Sequence, residues 1–333
     1  MTSPRDRTVG ELGESALLAR ILSTLDGTSR ALVGPGDDAA VLAAPGGRVV
    51  VSTDTLVHGP DFRLAWSSGV DLGWKAAAVN LADIAAMGAR PTALFVALAL
   101  PDETTAGFVE DLAAGLRAAC EELAPGCAVE GGDLTASDTL TIAVTVLGVL
   151  DGPSDEPVLR SGASAGDVVA VAGELGAAAR GVSLLFARFR DDAGVPLAVD
   201  TASLDPAERA DLAAQLRPRP PIAAGLTAAR AGARAMMDVS DGLLLDASRL
   251  ADASGVTVDF DPAERTGFDE AALRGGEDHA LLACFPPGAA VPDPFRVVGR
   301  VVARGVSAVT IAGEPVTGRL GWDPHRDWDA GRG

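Results

Sequence analysis

A single lysine, Lys75, serves the whole chain of 333 residues. That scarcity excludes two schemes for handling nucleotides. A Walker loop needs Gly-Lys-Ser/Thr, a protein-kinase site needs its own lysine with a catalytic-loop Asp and Asn, and neither pattern is spelled here. Basic residues are few altogether: 27 Lys and Arg stand against 46 Asp and Glu, a formal charge of −19. This argues against a nucleic-acid partner, because a phosphate backbone is met with clustered cations. It leaves open phosphates that are held through metal ions. Only three cysteines occur, Cys120, Cys127 and Cys284; they make neither a secreted disulfide framework nor a paired zinc motif, and a reducing cytosol is expected. Long apolar runs are missing too. The longest, TALFVALALP at 92–101, is half of a membrane span and reads as a buried strand, so no membrane association is expected. The opening MTSPRDRTVGELGES has no apolar signal core, which again points to the cytoplasm. With three histidines, no nucleophilic triad assembles: His58 and His325 sit in polar stretches, His279 follows a glycine turn, and each reads as a surface or hydrogen-bonded residue.

What is present is a globular composition, 48% apolar, over a length that suggests two domains. Segments 48–53, 92–100, 140–150 and 167–173 are β-rich, and Ala-rich stretches of helical period lie between them. DLGWKAAAVNLADIAAMG predicts a helix opened by Asp71 and closed by Gly88. A second alternation follows, with strands at MMDVS, VTVDF and ALLACF, while 190–221 reads as a polar surface excursion. The turn-rich DGPSDEPVLRSGASAGD at 151–167 marks a junction. The expectation is an α/β (α+β) chain with domains at 1–150 and 151–333.

The acids stand in an unusual setting. GPGDDAAVL places Asp37 and Asp38 in a glycine-proline turn, and STDTLV puts Asp54 at the end of an apolar run. Asp favours turns and caps for local reasons, so each alone has a structural explanation. Asp83 falls on the apolar stripe of the helix with Leu72, Ala76, Val79 and Ala86, which is costly unless a cap, an arginine or a ligand compensates it. GGDLTAS sets Asp133 behind two glycines, where backbone can approach a ligand. DVSDG holds Asp238 and Asp241 across a strand-to-helix turn, with Ser240 as a candidate cap, and GGEDHALL repeats the glycine-pair device with Glu277 and Asp278. Taken jointly these acids suggest one basin, and hard cations with oxygen ligands make such a basin tolerable.

GPGDDAAVL, STDTLV, KAAAVNLADIAAMGARP, GGDLTAS, LRSGASAGD, DVSDGLLLDASRL and GGEDHALL, in this order, resemble the thiamine-monophosphate kinases. These belong to the superfamily of aminoimidazole ribonucleotide synthetase, selenophosphate synthetase and the hydrogenase-maturation carbamoyl dehydratase. The resemblance runs from about residue 10 to 325. It implies a homodimer whose N-terminal domains pair their sheets into a barrel, with ATP near that interface and a C-terminal α/β domain folded over it. The implied reaction is direct, Mg-assisted transfer from ATP to thiamine monophosphate, giving thiamine diphosphate. By motif, Asp38, Ser52, Thr53, Asp54, Asp83, Asp133, Asp238 and Asp241 would hold several Mg2+ ions. Gly132, Asp133, Arg160 and Ser240 would contact ATP, and Glu277 and Trp322 the thiamine moiety. No general base is expected, since a phosphate monoester is largely anionic at neutral pH. One stretch departs from the family: its His-Phe pair after STDTLV is here HGPDF, which sets Asp61 before Phe62 and expects Asp61 at the substrate. The segment before GGED is also short for the family. A selenophosphate synthetase would need a reactive Cys in an N-terminal glycine-rich loop, and none precedes Cys120; the hydrogenase-maturation relatives end in a cysteine tail, and this chain ends WDAGRG. A catalytically silent nucleotide- or metal-binding regulator is the alternative from another class.

Overall fold

A computed structural model describes residues 4–12, 14–30, 42–43, 47–151, 156–261 and 268–322. Two short helices, α1 (Val9–Leu12) and α2 (Glu14–Leu25), precede β1 (Val50–Val57), α3 (Gly69–Ala86), β2 (Arg90–Leu100), α4 (Ala106–Leu123), β3 (Ala128–Ala136) and β4 (Thr141–Val149). The four strands form one sheet in the order β1-β4-β2-β3. β2 and β3 run parallel through the α4 crossover, and the other pairs are antiparallel. Alternation assigns the faces. Leu94, Val96, Leu98, Ile142, Val144 and Val146 are buried in the core that α3 and α4 cover. The opposite face carries the rows Thr53–Thr145–Phe95 and Thr55–Ala143–Ala97–Asp133, and along β1 it is exposed, Val51 at 58%.

The second half continues as β5 (Val168–Ala172), α5 (Ala177–Arg188), α6 (Pro206–Leu216), α7 (Ile222–Arg230), β6 (Ala235–Val239), α8 (Leu243–Ser254), β7 (Val256–Phe260), α9 (Glu270–Arg274), β8 (Ala280–Phe285), β9 (Arg296–Ala303), β10 (Val309–Ile311) and β11 (Glu314–Pro315). Its seven strands lie in the order β11-β10-β7-β9-β5-β8-β6. Every residue of β6, β7 and β8 is buried, as expected of a sheet covered on both faces. Ala170, Met236, Leu281 and Ala283 share the core of α3 and α7, whereas Val171, Met237, Leu282 and Cys284 pack with α8.

α3 is thus the layer between the two sheets. Sixteen of its residues are buried, and alanine and glycine make the close approach possible: a Cβ on Gly73 would lie 1.9 Å from the Leu112 carbonyl oxygen. The helix starts earlier than its sequence suggested. Ser68 is the N-cap, and Asp71 is the reciprocal member of a capping box; Asp71 also pairs with Arg217 at 2.5 Å. Gly88, at φ 71°, follows the C-cap Met87. The 190–221 excursion is not only surface: it contains α6, whose Leu212 packs with Trp66, Leu185 and Phe189.

Candidate active site

Because α3 lies between the sheets, side chains from both reach its last turns around Asp83. Ser52 and Asp54 share the α3-covered face of β1, and Ser52 Oγ donates to Asp83 Oδ2 at 2.6 Å. From the other sheet Asp238, two residues beyond Met236 in β6, shares with it the face turned to α3. Burial pushes the Asp83 carboxyl up to about 6, and the charges of Asp238 and Asp54 add to the shift. His279, buried just before β8, places Nδ1 3.2 Å from Asp238 Oδ2. Burial opposes its imidazolium, yet the Asp238 hydrogen bond and the charges of Asp238, Glu277 and Asp83 carry its pKa upward. Its Nε2 has no partner among the described residues.

The turn after β6 is held from below. The fully buried Asp246 accepts from the Asp241 amide at 2.9 Å, and Arg249 Nη1 joins Asp246 at 2.7 Å to Asp241 at 2.6 Å. Ser240 does not cap α8; the N-cap is Gly242 at φ 123°, with no side-chain cap. Instead the Ser240 carbonyl accepts from the Glu277 amide at 2.8 Å. Glu277 and His279 adopt left-handed φ values of 75° and 54°, an uncommon geometry for such residues that recurs at functional sites. Asp278 serves structure: its carboxylate accepts from the Gly176 and Ala178 amides at 2.7 and 2.9 Å and so anchors α5.

Beside the acids lies a cavity of about 640 Å³, lined from both halves by Asp61, Phe62, Trp66, Lys75, Phe186, Ser240, Glu277 and Trp322 among others. Lys75, only 4% exposed, pairs through Nζ with Glu277 Oε2 at 2.5 Å. Burial works against the Glu277 carboxylate, but the Lys75 charge holds its pKa below the usual range. Asp61 accepts from the Val57 amide at 2.7 Å; burial, with Glu277 and Asp54 nearby, raises its pKa. Lys75 and Asp83 are eight residues apart on one stripe of α3, about 12 Å along the axis. The cavity and the acid cluster are therefore two ends of one site.

The structure gathers Ser52, Asp54, Asp83 and Asp238, with Asp241 on the adjoining turn, and separately Asp61, Ser240, Glu277 and Trp322. Thr53, Gly132, Asp133 and Arg160 lie apart from both groups. Thr53 turns to the open face and donates to the Val144 carbonyl at 3.0 Å. Asp133 shares that face at the far edge strand, three strand spacings from β1, about 14 Å. Gly132 sits beside it. Arg160 is exposed, with its carbonyl bound by Ser254 Oγ at 2.9 Å. Asp37, Asp38 and His325 lie outside the described residues. Among the described residues no three carboxylate, His or Cys side chains converge as a ready-made cation site. Sequence reasoning named Lys75 and His279 without giving either a place here, named Phe62 only as the neighbour of Asp61, and passed over Trp66 and Phe186. Lys75 had one usable signal, a lone cation inside an otherwise small and apolar helical stretch.

The family described as AIR synthase related protein, N-terminal domain, matches residues 36–150, and its C-terminal domain counterpart matches residues 164–312. A thiamine-monophosphate kinase of Mycobacterium tuberculosis is 42% identical over 97% of this chain and 94% of its own. The crystal structure of thiamine-monophosphate kinase from Stenotrophomonas maltophilia K279a aligns with TM-score 0.74 at 34% identity, covering 92% of this chain and 98% of that one. AaThiL complexed with AMPPCP and TMP aligns with TM-score 0.71 at 31% identity, covering 94% and 97%. Both halves of the family, in order and at these identities, leave one assignment: the chain belongs to the AIR synthase related family and, within it, to the thiamine-monophosphate kinases.

Proposed function

We propose that this protein phosphorylates thiamine monophosphate with ATP, by direct in-line transfer, to give thiamine diphosphate. The observation that carries the reading is the pairing along α3 of a cavity large enough for a heterocyclic acceptor with a group of acids in which Asp83 meets neighbouring carboxylates and no arginine or lysine among the described residues. Support also comes from the relatives named thiamine-monophosphate kinase and from one solved with AMPPCP and TMP. The donor set suits a hard divalent ion: a carboxyl raised to about 6 by burial and neighbouring acids marks unbalanced negative charge. Asp54, Asp83, Asp238 and Asp241 would hold Mg2+, joined by Asp38, Ser52, Thr53 and Asp133 as the family pattern implies. Bound Mg2+ would neutralise the charge of both phosphate groups, the main barrier between two anions.

The protein's own residues do the rest. Ser52 orients Asp83, and His279 orients Asp238. Asp61, Glu277 and Trp322 line the acceptor end, while Gly132, Asp133, Arg160 and Ser240 would meet ATP. No side chain need remove a proton from a phosphate oxygen that is already anionic. The open face of the first sheet, with Val51 exposed and both edge strands unpaired among the described residues, supports a homodimer in which two such faces close an intersubunit barrel. The same arrangement accounts for Asp133, which lies on the face that a second copy would cover. Domains at 1–150 and 151–333 and a cytoplasmic setting complete the reading; no described helix is long and apolar enough to cross a membrane.

The test is product formation from ATP and thiamine monophosphate, read by chromatography of thiamine diphosphate, with ATP hydrolysis followed in parallel. Thiamine diphosphate formed at the expense of ATP is expected. ATP turnover indifferent to thiamine monophosphate, or no turnover at all, would overturn the reading.

A further inference from the structure

We propose that Lys75 is the positioning residue of the acceptor cavity: its buried ammonium holds one Glu277 oxygen and leaves the other for an N–H donor or cationic ring of the acceptor. The inference rests on the proposed reaction and adds a residue to it. Three elements meet at this ammonium. Lys75 comes from α3, Glu277 from the segment before β8, and Gln215 from α6; in the amide orientation that suits both neighbours, the Gln215 oxygen accepts from Nζ at 3.0 Å and its nitrogen donates to the Ala178 carbonyl at 3.3 Å. Two of the three ammonium donors are thereby committed. Glu277 is fixed at its other end by its left-handed backbone and its amide bond to Ser240, and a Cβ on Gly276 would come within 2.1 Å of that Ser240 carbonyl oxygen. With backbone and one oxygen both tied, its half-exposed carboxylate has one direction left, into the cavity.

The choice of residue agrees with this role. At every other position where the chain carries a Lys or Arg charge it uses arginine, yet at this nearly inaccessible point it uses the compact ammonium. A planar guanidinium needs more room and would offer Glu277 a fork, engaging both oxygens. Burying a lysine is costly without close partners, and the partners here are cavity-lining groups.

The single lysine also makes the test clean, because protein labelled with 15Nζ-lysine gives one side-chain ammonium resonance. Thiamine monophosphate is expected to shift that resonance. Lys75→Met should raise the KM for thiamine monophosphate about tenfold or more, the loss expected for a charged hydrogen-bond partner, with kcat and the KM for ATP within about twofold. Lys75→Arg should not restore it. Since Lys75 acts through Glu277, adding Lys75→Met to Glu277→Gln should bring no further rise, a non-additivity that a merely structural lysine would not produce. That comparison also serves if Lys75→Met alone fails to fold, because the double variant removes both charges together. Effects that multiply, or an ATP KM that moves as far as the acceptor KM, overturn the proposal. Should the wild-type protein not phosphorylate thiamine monophosphate, the reading of the reaction falls, and the lysine resonance decides this proposal alone: unmoved by thiamine monophosphate, it overturns it.

Discussion

Asp83→Asn is expected to stabilise the metal-free protein while abolishing phosphoryl transfer. The carboxyl of Asp83 is pushed up to about 6, from an ordinary value of 3.8, chiefly by burial and then by Asp238. Each unit is worth 1.36 kcal/mol, so holding this group ionised in the fold costs about 3 kcal/mol. The direction follows from linkage. The protonated group is the one the fold favours, so its contribution is complete below the unfolded pKa and is lost as pH rises through 6. At pH 8 the native state bears the whole cost, and at pH 5 about half of it. Asparagine never bears it, and its amide oxygen can still accept from Ser52 Oγ. Allowing for residual solvent, the variant should be more stable by about 1–3 kcal/mol at pH 8 and by less at pH 5. Urea unfolding in the presence of a chelator, across pH 5 to 8, measures this directly. A variant no more stable than wild type at pH 8, or a gap that narrows as pH rises, would refute the reasoning. Adding Mg2+ should reverse the order, because wild type gains a bound ion that the variant holds less well.

Three further outcomes are expected. Asp54→Asn and Asp133→Asn should each lower kcat by about 100-fold or more, with native circular dichroism; near-normal turnover would remove either residue from the site. Sedimentation should find a dimer, and Val51→Glu, a charge placed on the open face of the first sheet, should yield monomer; an unchanged dimer would mean that the interface lies elsewhere. Asp61→Asn keeps an acceptor for the Val57 amide but removes a charge crowded by Glu277 and Asp54, so the KM for the anionic acceptor should fall by about two- to fivefold with little change in kcat; loss of turnover would instead give Asp61 a catalytic or metal-binding role.

Much of the fold was legible because strands buried on both faces advertise themselves. VTVDF and ALLACF are β7 and β8 residue for residue. The helix at 69–86 was found, but its single apolar stripe was an illusion of period: a helix between two sheets is buried all round, and no amphipathic pattern marks it. Its true cap, Ser68, sits just before the stretch that carries the period. α6 went unread for the opposite reason. PAERADLAAQL is polar enough to pass for surface, and only Leu212 and Gln215 are buried, yet Gln215 lies against Lys75 across the cavity. Contacts of that range leave no local trace.

The site was legible as a collection of acids and illegible as a division of labour among them, and the reason is the number of donors each acid meets. Asp278 receives two backbone amides. Asp246 takes an amide and a guanidinium, Asp259 a hydroxyl, an amide and an arginine, and Asp167 an amide and Arg234. These carboxylates are satisfied by the protein and hold turns and strands in place. Among the described residues Asp83 has one hydroxyl, Asp238 one imidazole at 3.2 Å, and Asp54 the amide of its own neighbour Thr55. For the half-buried Asp83 and the buried Asp238, so little opposite charge is costly unless something else supplies it, while the exposed Asp54 is left open to solvent or a ligand. Flanking glycines and turn chemistry are the same for both groups, so the sequence alone marks both alike. Counting donors separates most of the acids that build the fold from those left over for a ligand, and the left-over ones, Asp54, Asp83 and Asp238, lie around the last turns of α3.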